Sequence, residues 1–165
     1  MNTQSEYLEQ LAAIPLFEGC WRRDLELIAR NVEVVDVEGG TVIVEEGTTG
    51  HQLYVVVQGA ATVSRRGRPL GVIGAGDWFG ESPALAGCRH PATISAAGLT
   101  RLVVIGRREV LALAQAVPGL SRQLLRGMAE RLGKDDCGGS VPLGSTQEVR
   151  DDPGEAPQPR GAVRP

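Results

Sequence analysis

A succession of short apolar runs separated by glycine-rich turns occupies the middle of the chain, from Val34 to Ile105. Val, Ile and Thr are frequent in these runs, and each run is short enough to be a single β-strand. We therefore predict a mainly β fold of the α+β class, a jelly-roll barrel of about eight antiparallel strands. The runs read VEVVDV, TVIVEE, QLYVVVQ, AATVSRR, PLGVIG, ATISAA and RLVVIG.

Helical patterns flank the predicted barrel on both sides. Before it, apolar residues at three- and four-residue spacings predict two short helices, about 3–12 and 22–30. After it, RREVLALAQA and LSRQLLRGMAERL predict two more helices, separated by Pro118-Gly119. Each of these last two helices is expected to bury one apolar stripe. The stripes are Val110, Leu111, Leu113 and Ala114, and Leu120, Leu124, Leu125, Met128 and Leu132.

Residues 134–165 are rich in Pro and Gly, with few large apolar side chains and no hydrophobic period. A segment of this composition buries too little apolar surface to offset its ordering entropy. We therefore predict one folded domain over residues 5–133, followed by a disordered tail over residues 134–165.

Several classes of function are disfavoured by the composition. The formal net charge of -3 argues against a broad DNA-binding face, and no helix-turn-helix pattern occurs in the tail, so no DNA partner is expected. The apolar runs are too short to span a membrane and no signal peptide is evident, which favours a cytoplasmic protein. Cys20, Cys88 and Cys137 lack zinc-ligand spacing, and no catalytic motif is present. We expect neither a cofactor nor an enzymatic activity.

The segment FGESPALAGCRHPATI, at residues 79–94, has the pattern of an anion-binding turn. Gly80 permits a sharp turn before Glu81. A short helix is predicted from Ser82, which suits a helix cap, with Pro83 at the first helical position. Backbone N–H groups at a helix start form a common anion site, and a following arginine would complete a phosphate site.

Together with IPLF, GGTVIVEEGTTGHQLYVVVQGAATV, GVIGAGDWFGE and ATISA, this segment resembles the cyclic nucleotide-binding domain family. That family includes the sensor domains of the catabolite activator protein and of protein kinase A regulatory subunits. The resemblance covers roughly residues 8–132. It implies a double-stranded β-helix that encloses cyclic AMP or cyclic GMP, with a C-terminal helix that closes over the base. The matching positions are Gly40, Gly47, Gly59, Gly76, Phe79, Gly80, Glu81, Ala92 and Thr93.

The resemblance also implies roles for individual residues. Glu81 matches the carboxylate that accepts a hydrogen bond from the ribose 2′-hydroxyl, and Thr93 matches the threonine that ends the phosphate-binding motif. The ligand-binding residues implied are Gly80, Glu81, Ser82, Ala84, Arg89, His90, Ala92 and Thr93.

On the phosphate side, the sequence departs from the family pattern. His90 stands where the family has arginine, and Pro83 and Pro91 lack the N–H that their positions would donate. Loss of all three contacts would cost roughly 3–6 kcal/mol, or about 10²–10⁴ in Kd. Arg89 turned inward, or a protonated His90, would restore a cation.

Two functions remain open at this point. The first is a non-enzymatic cyclic nucleotide sensor that acts in signal transduction through an effector protein. The second is a degenerate interaction module of the same fold that no longer binds a nucleotide. Arg122, Arg126 and Arg131 lie opposite the apolar stripe of the last helix, which is typical of a solvated polar face. The resemblance also implies a homodimer through this helix, since transcription factors of the family pair through the corresponding helix.

Overall fold

The computed structural model describes residues 3–132, with side chains described for residues 7–130. The predicted tail, 134–165, and the side chains of Arg131 and Leu132 lie outside the described residues. Two helices, α1 (Thr3–Ala12) and α2 (Arg22–Arg30), precede the barrel, joined through a 3-10 turn at Pro15–Phe17. Within residues 3–132, no helix has both the length and the apolar character needed to cross a membrane.

Eight strands form two antiparallel four-stranded sheets, which confirms the predicted jelly roll. One sheet has the order β1-β8-β3-β6 and the other has the order β2-β7-β4-β5. Most neighbours in each sheet are distant in sequence, as the crossing connections of a jelly roll require. The strands are β1 (Glu33–Val37), β2 (Val42–Val44), β3 (Gln52–Gln58), β4 (Ala60–Arg65), β5 (Arg68–Gly74), β6 (Trp78–Phe79), β7 (Thr93–Ala96) and β8 (Thr100–Gly106).

A third helix, α3 (Glu81–Ala86), lies between β6 and β7, and α4 (Arg107–Ala116) and α5 (Pro118–Leu132) follow β8. Side chains alternate along β3, so that Val56 faces the barrel interior while Leu53 and Val55 face the helices. The interior is closed by residues of both sheets, including Phe79 and Ile94. The structure therefore has one core inside the barrel and another between the first sheet and the helices.

Three details differ from the sequence predictions. The short helix begins at Glu81 rather than Ser82, because Gly80 takes a left-handed conformation and caps α3 itself. Pro83 is thus its third residue, where the absent N–H has no intrahelical acceptor to lose. Pro118 is the first residue of α5 rather than part of a break, which suits proline's fixed φ.

The apolar stripes of the last two helices are also narrower than predicted. Leu125 is 68% exposed and Leu111 is 41% exposed, although the sequence pattern assigns both to buried stripes. Leu124, one residue earlier, is only 3% exposed. The buried positions of α5 are Leu120, Leu124 and Gly127, at three- and four-residue spacings, and Leu125 points about 100° away from Leu124.

The two neighbouring leucines of α5 provide a matched test of this packing. We expect Leu124→Ala to lower the free energy of unfolding by about 2–5 kcal/mol, because it leaves a cavity in the helical core. Leu125→Ala should change it by less than about 0.5 kcal/mol. Urea denaturation followed by circular dichroism measures both, and equal losses from the two variants would contradict the assigned orientation of α5.

Candidate functional site

The turn from β6 into α3 brings the start of the helix against the backbone of β3. Gly80 has φ 82°, in the left-handed region that favours glycine. A Cβ at this position would lie 2.5 Å from the carbonyl oxygen of Gln52 and 3.2 Å from the ring of Tyr54. Gly80 is therefore required both by its backbone conformation and by its close contact with β3.

Glu81 follows directly as the first residue of α3, and it is only 3% exposed. A buried carboxylate is costly unless hydrogen-bond donors surround it. One donor is the neighbouring hydroxyl, because Ser82 Oγ donates to Glu81 Oε1 at 3.1 Å. The structure thus holds an acidic acceptor inside the protein at the beginning of this helix.

His90 is held in place by the β2–β3 loop. Its backbone N–H donates to the carbonyl of Thr48 at 2.8 Å, and its own carbonyl accepts from Gly47 N–H at 2.9 Å. Its side chain is 7% exposed and packs against Gly50, where an added Cβ would overlap the imidazole Nε2. Pro83 packs against Gly50 as well, because a Cβ added to Gly50 would lie 2.8 Å from the Cβ of Pro83. The imidazole is thereby enclosed between the β2–β3 loop and α3.

Burial lowers the pKa of His90, and the nearby Glu81 carboxylate partly opposes this shift. Desolvation is the larger cause, because the hydration free energy that the imidazolium loses on burial exceeds its attraction to the Glu81 carboxylate. Near neutral pH the imidazole is therefore uncharged and offers one N–H donor.

Arg89 is exposed, and the structure does not bring its guanidinium into the interior beside Glu81. Its Nη1 donates to the carbonyl of Gly47 at 2.6 Å, and its backbone forms an isolated bridge with Thr49. The guanidinium therefore ties the loop after α3 to the β2–β3 loop.

The remaining predicted ligand-binding residues lie close to this region. Ala84 is fully buried, and its N–H donates to Gly80 O at 3.0 Å within α3. Ala92 is 3% exposed and belongs to the barrel interior. Thr93 is half-buried, and its Oγ1 accepts from the backbone N–H of Glu46 at 3.0 Å. Ala84 N–H and Thr93 Oγ1 thus already have partners within the protein.

Two features of the site are not evident from the loop sequence. Arg65, the last residue of β4, donates from Nε to the carbonyl of Pro91 at 3.0 Å. Tyr54 and Phe79 stack with ring centroids 4.9 Å apart and an interplanar angle of 10°. The signal that could have found both is strand alternation, which places every second residue on the interior face.

A cleft of about 810 Å³ opens beside His90, between the β2–β3 loop, the start of β3 and the β8–α4 junction. This volume lies within the range of small-molecule sites. Its wall combines apolar and polar residues. It includes Val44, Gly50, Gln52, Tyr54, His90 and Arg107.

A comparison with protein families agrees with this arrangement. The family described as cyclic nucleotide-binding domain matches residues 34–116, which span the barrel and α4. The chain belongs to this family. The resemblance inferred from the sequence is therefore confirmed, and a domain of this family is a regulatory module.

The chain spans less than two thirds of the length of each of three proteins similar to this cyclic nucleotide-binding domain. A cyclic nucleotide-gated potassium channel of Rhizobium etli is 31% identical over 123 residues, covering 74% of this chain and 34% of the channel. A CRP-like cAMP-activated global transcriptional regulator of Mycobacterium tuberculosis is 31% identical over 131 residues, covering 75% of this chain and 58% of the regulator. The crystal structure of the Thermus thermophilus catabolite activator protein superposes with a TM-score of 0.68 at 28% identity, covering 74% and 60% of the two chains.

Substitution of Gly80 tests the close contact between α3 and β3. We expect Gly80→Ala to destabilise the domain by more than the roughly 1–2 kcal/mol of a left-handed alanine, because the Cβ also meets Gln52 O. Gly67→Ala is the matched control, since Gly67 has φ 75° with nothing within 4 Å of its Cβ position. Thermal and urea unfolding compare them, and equal losses would contradict the steric role of Gly80.

The buried imidazole predicts a pH dependence of stability. Because the folded-state pKa of His90 is lowered, the unfolded chain binds the proton more readily. The contribution of His90 to stability is therefore complete above the unfolded value of about 6.5, and is lost as the pH falls toward the folded value. We expect His90→Gln to flatten the rise in unfolding free energy as the pH increases toward about 6.5. An identical pH profile in urea denaturation would contradict the burial of this imidazole.

Proposed function

We propose that this domain is a non-enzymatic regulatory sensor that binds a cyclic nucleotide, cyclic AMP or cyclic GMP, and acts through a partner protein. The observation that supports this most strongly is the buried Glu81 carboxylate, directly after the left-handed Gly80 turn. A carboxylate accepts hydrogen bonds only, so an enclosed one is suited to a ligand that brings hydroxyl donors. The ribose 2′-hydroxyl of a cyclic nucleotide is such a donor.

The residues around Glu81 would orient this contact. Ser82 Oγ donates to one carboxylate oxygen and so restricts the rotation of the side chain. Gly80 lets the turn lie against β3 and so places Glu81 at the start of α3. Ala92 is small and belongs to the barrel interior, whereas Ala84 packs in the helical core.

The output would pass through another protein. The relatives named above are a cyclic nucleotide-gated channel and a cAMP-activated regulator, and in this chain we assign the effector to a partner. Binding would act by favouring one arrangement of the terminal helices over another. The exposed Leu125 on α5, beside Arg126, offers a contact for that partner or for a second copy of the chain.

A second candidate function is a degenerate interaction module of the same fold that does not bind nucleotide. It is favoured by three features of the phosphate side. The imidazole of His90 is buried and uncharged near neutral pH, Arg89 is bound to Gly47, and Pro91 has no N–H to donate.

Calorimetric titration with cyclic AMP and cyclic GMP separates the two functions. We expect the natural protein to bind at least one of them with micromolar affinity, and Glu81→Gln to weaken binding on the order of tenfold by weakening the ribose contact. The double variant His90→Arg with Pro91→Ser, which restores the usual loop, serves as the positive control. Binding by the double variant alone would overturn the sensor function and support the interaction module.

A further inference from the structure

The cleft beside His90 is a concave surface distinct from the proposed nucleotide site. Its volume of about 810 Å³ is that of a small-molecule site. Of the residues assigned above to the nucleotide, His90 alone belongs to its wall, among the residues that the structure describes. The rest of the wall comes from β2, the β2–β3 loop, the start of β3 and the junction between β8 and α4. The cleft therefore borders the nucleotide site without including it.

The imidazole of His90 is the buried polar group of this wall. It is 7% exposed, and neither of its ring nitrogens has a hydrogen bond within residues 7–130. The ring lies against Gly50, which also lines the cleft, and a Cβ added to Gly50 would overlap Nε2. The missing side chain at Gly50 thus leaves Nε2 open to the cleft. A buried polar group without a partner is unfavourable, and a polar atom of a ligand would supply that partner.

Two arginines bring positive charge to the same cleft. Arg107 and Arg108 line it and are the first two residues of α4. Neither has an ion pair within residues 7–130. Cations at a helix N-terminus are unfavourable, because the helix dipole is positive at that end. An anion bound there would interact favourably with both guanidinium groups and with the free N–H groups of the first turn.

Two carboxylates also border the cleft, and the structure pairs neither with these arginines. Glu109 is folded back onto the start of α4, since a Cβ added to Gly106 would overlap its Oε2. Glu45 directly follows β2 and is exposed. No ion pair joins either carboxylate to an arginine within residues 7–130. The two guanidinium groups of α4 are therefore available to a ligand.

Part of the wall is apolar. Val42 and Val44 of β2 both line the cleft, and Val42 is 54% exposed. The half-buried ring of Tyr54 lines it as well. A simple inorganic anion would leave this apolar surface uncovered. A ligand that carries an aliphatic or aromatic group beside its anionic group would bury it, and burial of apolar surface favours binding.

We propose that this cleft binds a small organic anion with an apolar body. The anionic group lies at Arg107, Arg108 and the start of α4, and a polar atom hydrogen-bonds to Nε2 of His90. The apolar body covers Val42 and Val44. This site goes beyond the proposed function, because it does not require a nucleotide in the barrel.

Phenyl phosphate is a suitable probe, because it joins a phosphate monoester to an apolar ring. We expect saturable binding in calorimetry, with a dissociation constant below about 1 mM. The largest changes in backbone amide NMR shifts should lie at residues 48–52 and 106–109. Arg107→Gln and Arg108→Gln should each weaken binding by about tenfold, because each removes a charge-assisted contact. Arg122→Gln is the matched control, since Arg122 is exposed on α5 and carries the same charge.

Three results would overturn the proposal. The first is the absence of saturable binding. The second is that the largest shifts lie at residues 80–84 and 92–93, because the probe would then occupy the proposed nucleotide site. The third is an equal loss of affinity in Arg122→Gln, which would reflect net charge alone. Thermal unfolding confirms that each variant is folded, and Arg108 is exposed, so its substitution removes no buried contact. The titrations with cyclic nucleotides decide the proposed function separately.

Discussion

The docking of the β2–β3 loop onto the loop after α3 is the constraint on which the site depends. Two backbone hydrogen bonds connect Gly47 and Thr48 with His90. A third contact joins the two segments where Glu46 N–H donates to Thr93 Oγ1. These bonds pair backbone groups of the two segments with each other. They fix the position of the loop relative to the barrel before any ligand is present.

This docking has an electrostatic consequence. The contacts that enclose His90 also remove its hydration, which lowers its pKa and leaves the site without a charge at the usual arginine position. The same docking binds the guanidinium of Arg89 to the Gly47 carbonyl. The packing of this loop therefore leaves His90 uncharged near neutral pH and directs the Arg89 guanidinium to the Gly47 carbonyl. Arg65, at the end of β4, also contacts this loop, because its Nε donates to the Pro91 carbonyl.

Much of the fold followed from local patterns in the sequence. The strands and the bounds of α1 and α2 were predictable because hydrophobic period and glycine turns report directly on each short element. The strand Trp78–Phe79 was not, since two residues are too few to show a period. Whether Leu124 or Leu125 is buried depends on which face of α5 packs against the rest of the protein. The hydrophobic periodicity of a single helix does not decide this. The Arg65 contact spans 26 residues in sequence, so the loop sequence alone could not predict it.

α3 lies between the barrel and the helices that follow β8. Residues that face the barrel interior and residues that face the helices lie on opposite sides of β3, so the barrel interior and the helical core are separate. α3 bridges them, because it begins at Glu81 and packs against both β3 and α4. At its C-terminal end Gly87 adopts φ 68°, and a Cβ there would lie 2.8 Å from Nη1 of Arg107, the first residue of α4. If the proposed ligand at Glu81 moved α3, the contact of this helix with Arg107 would change, and the movement would so reach α4.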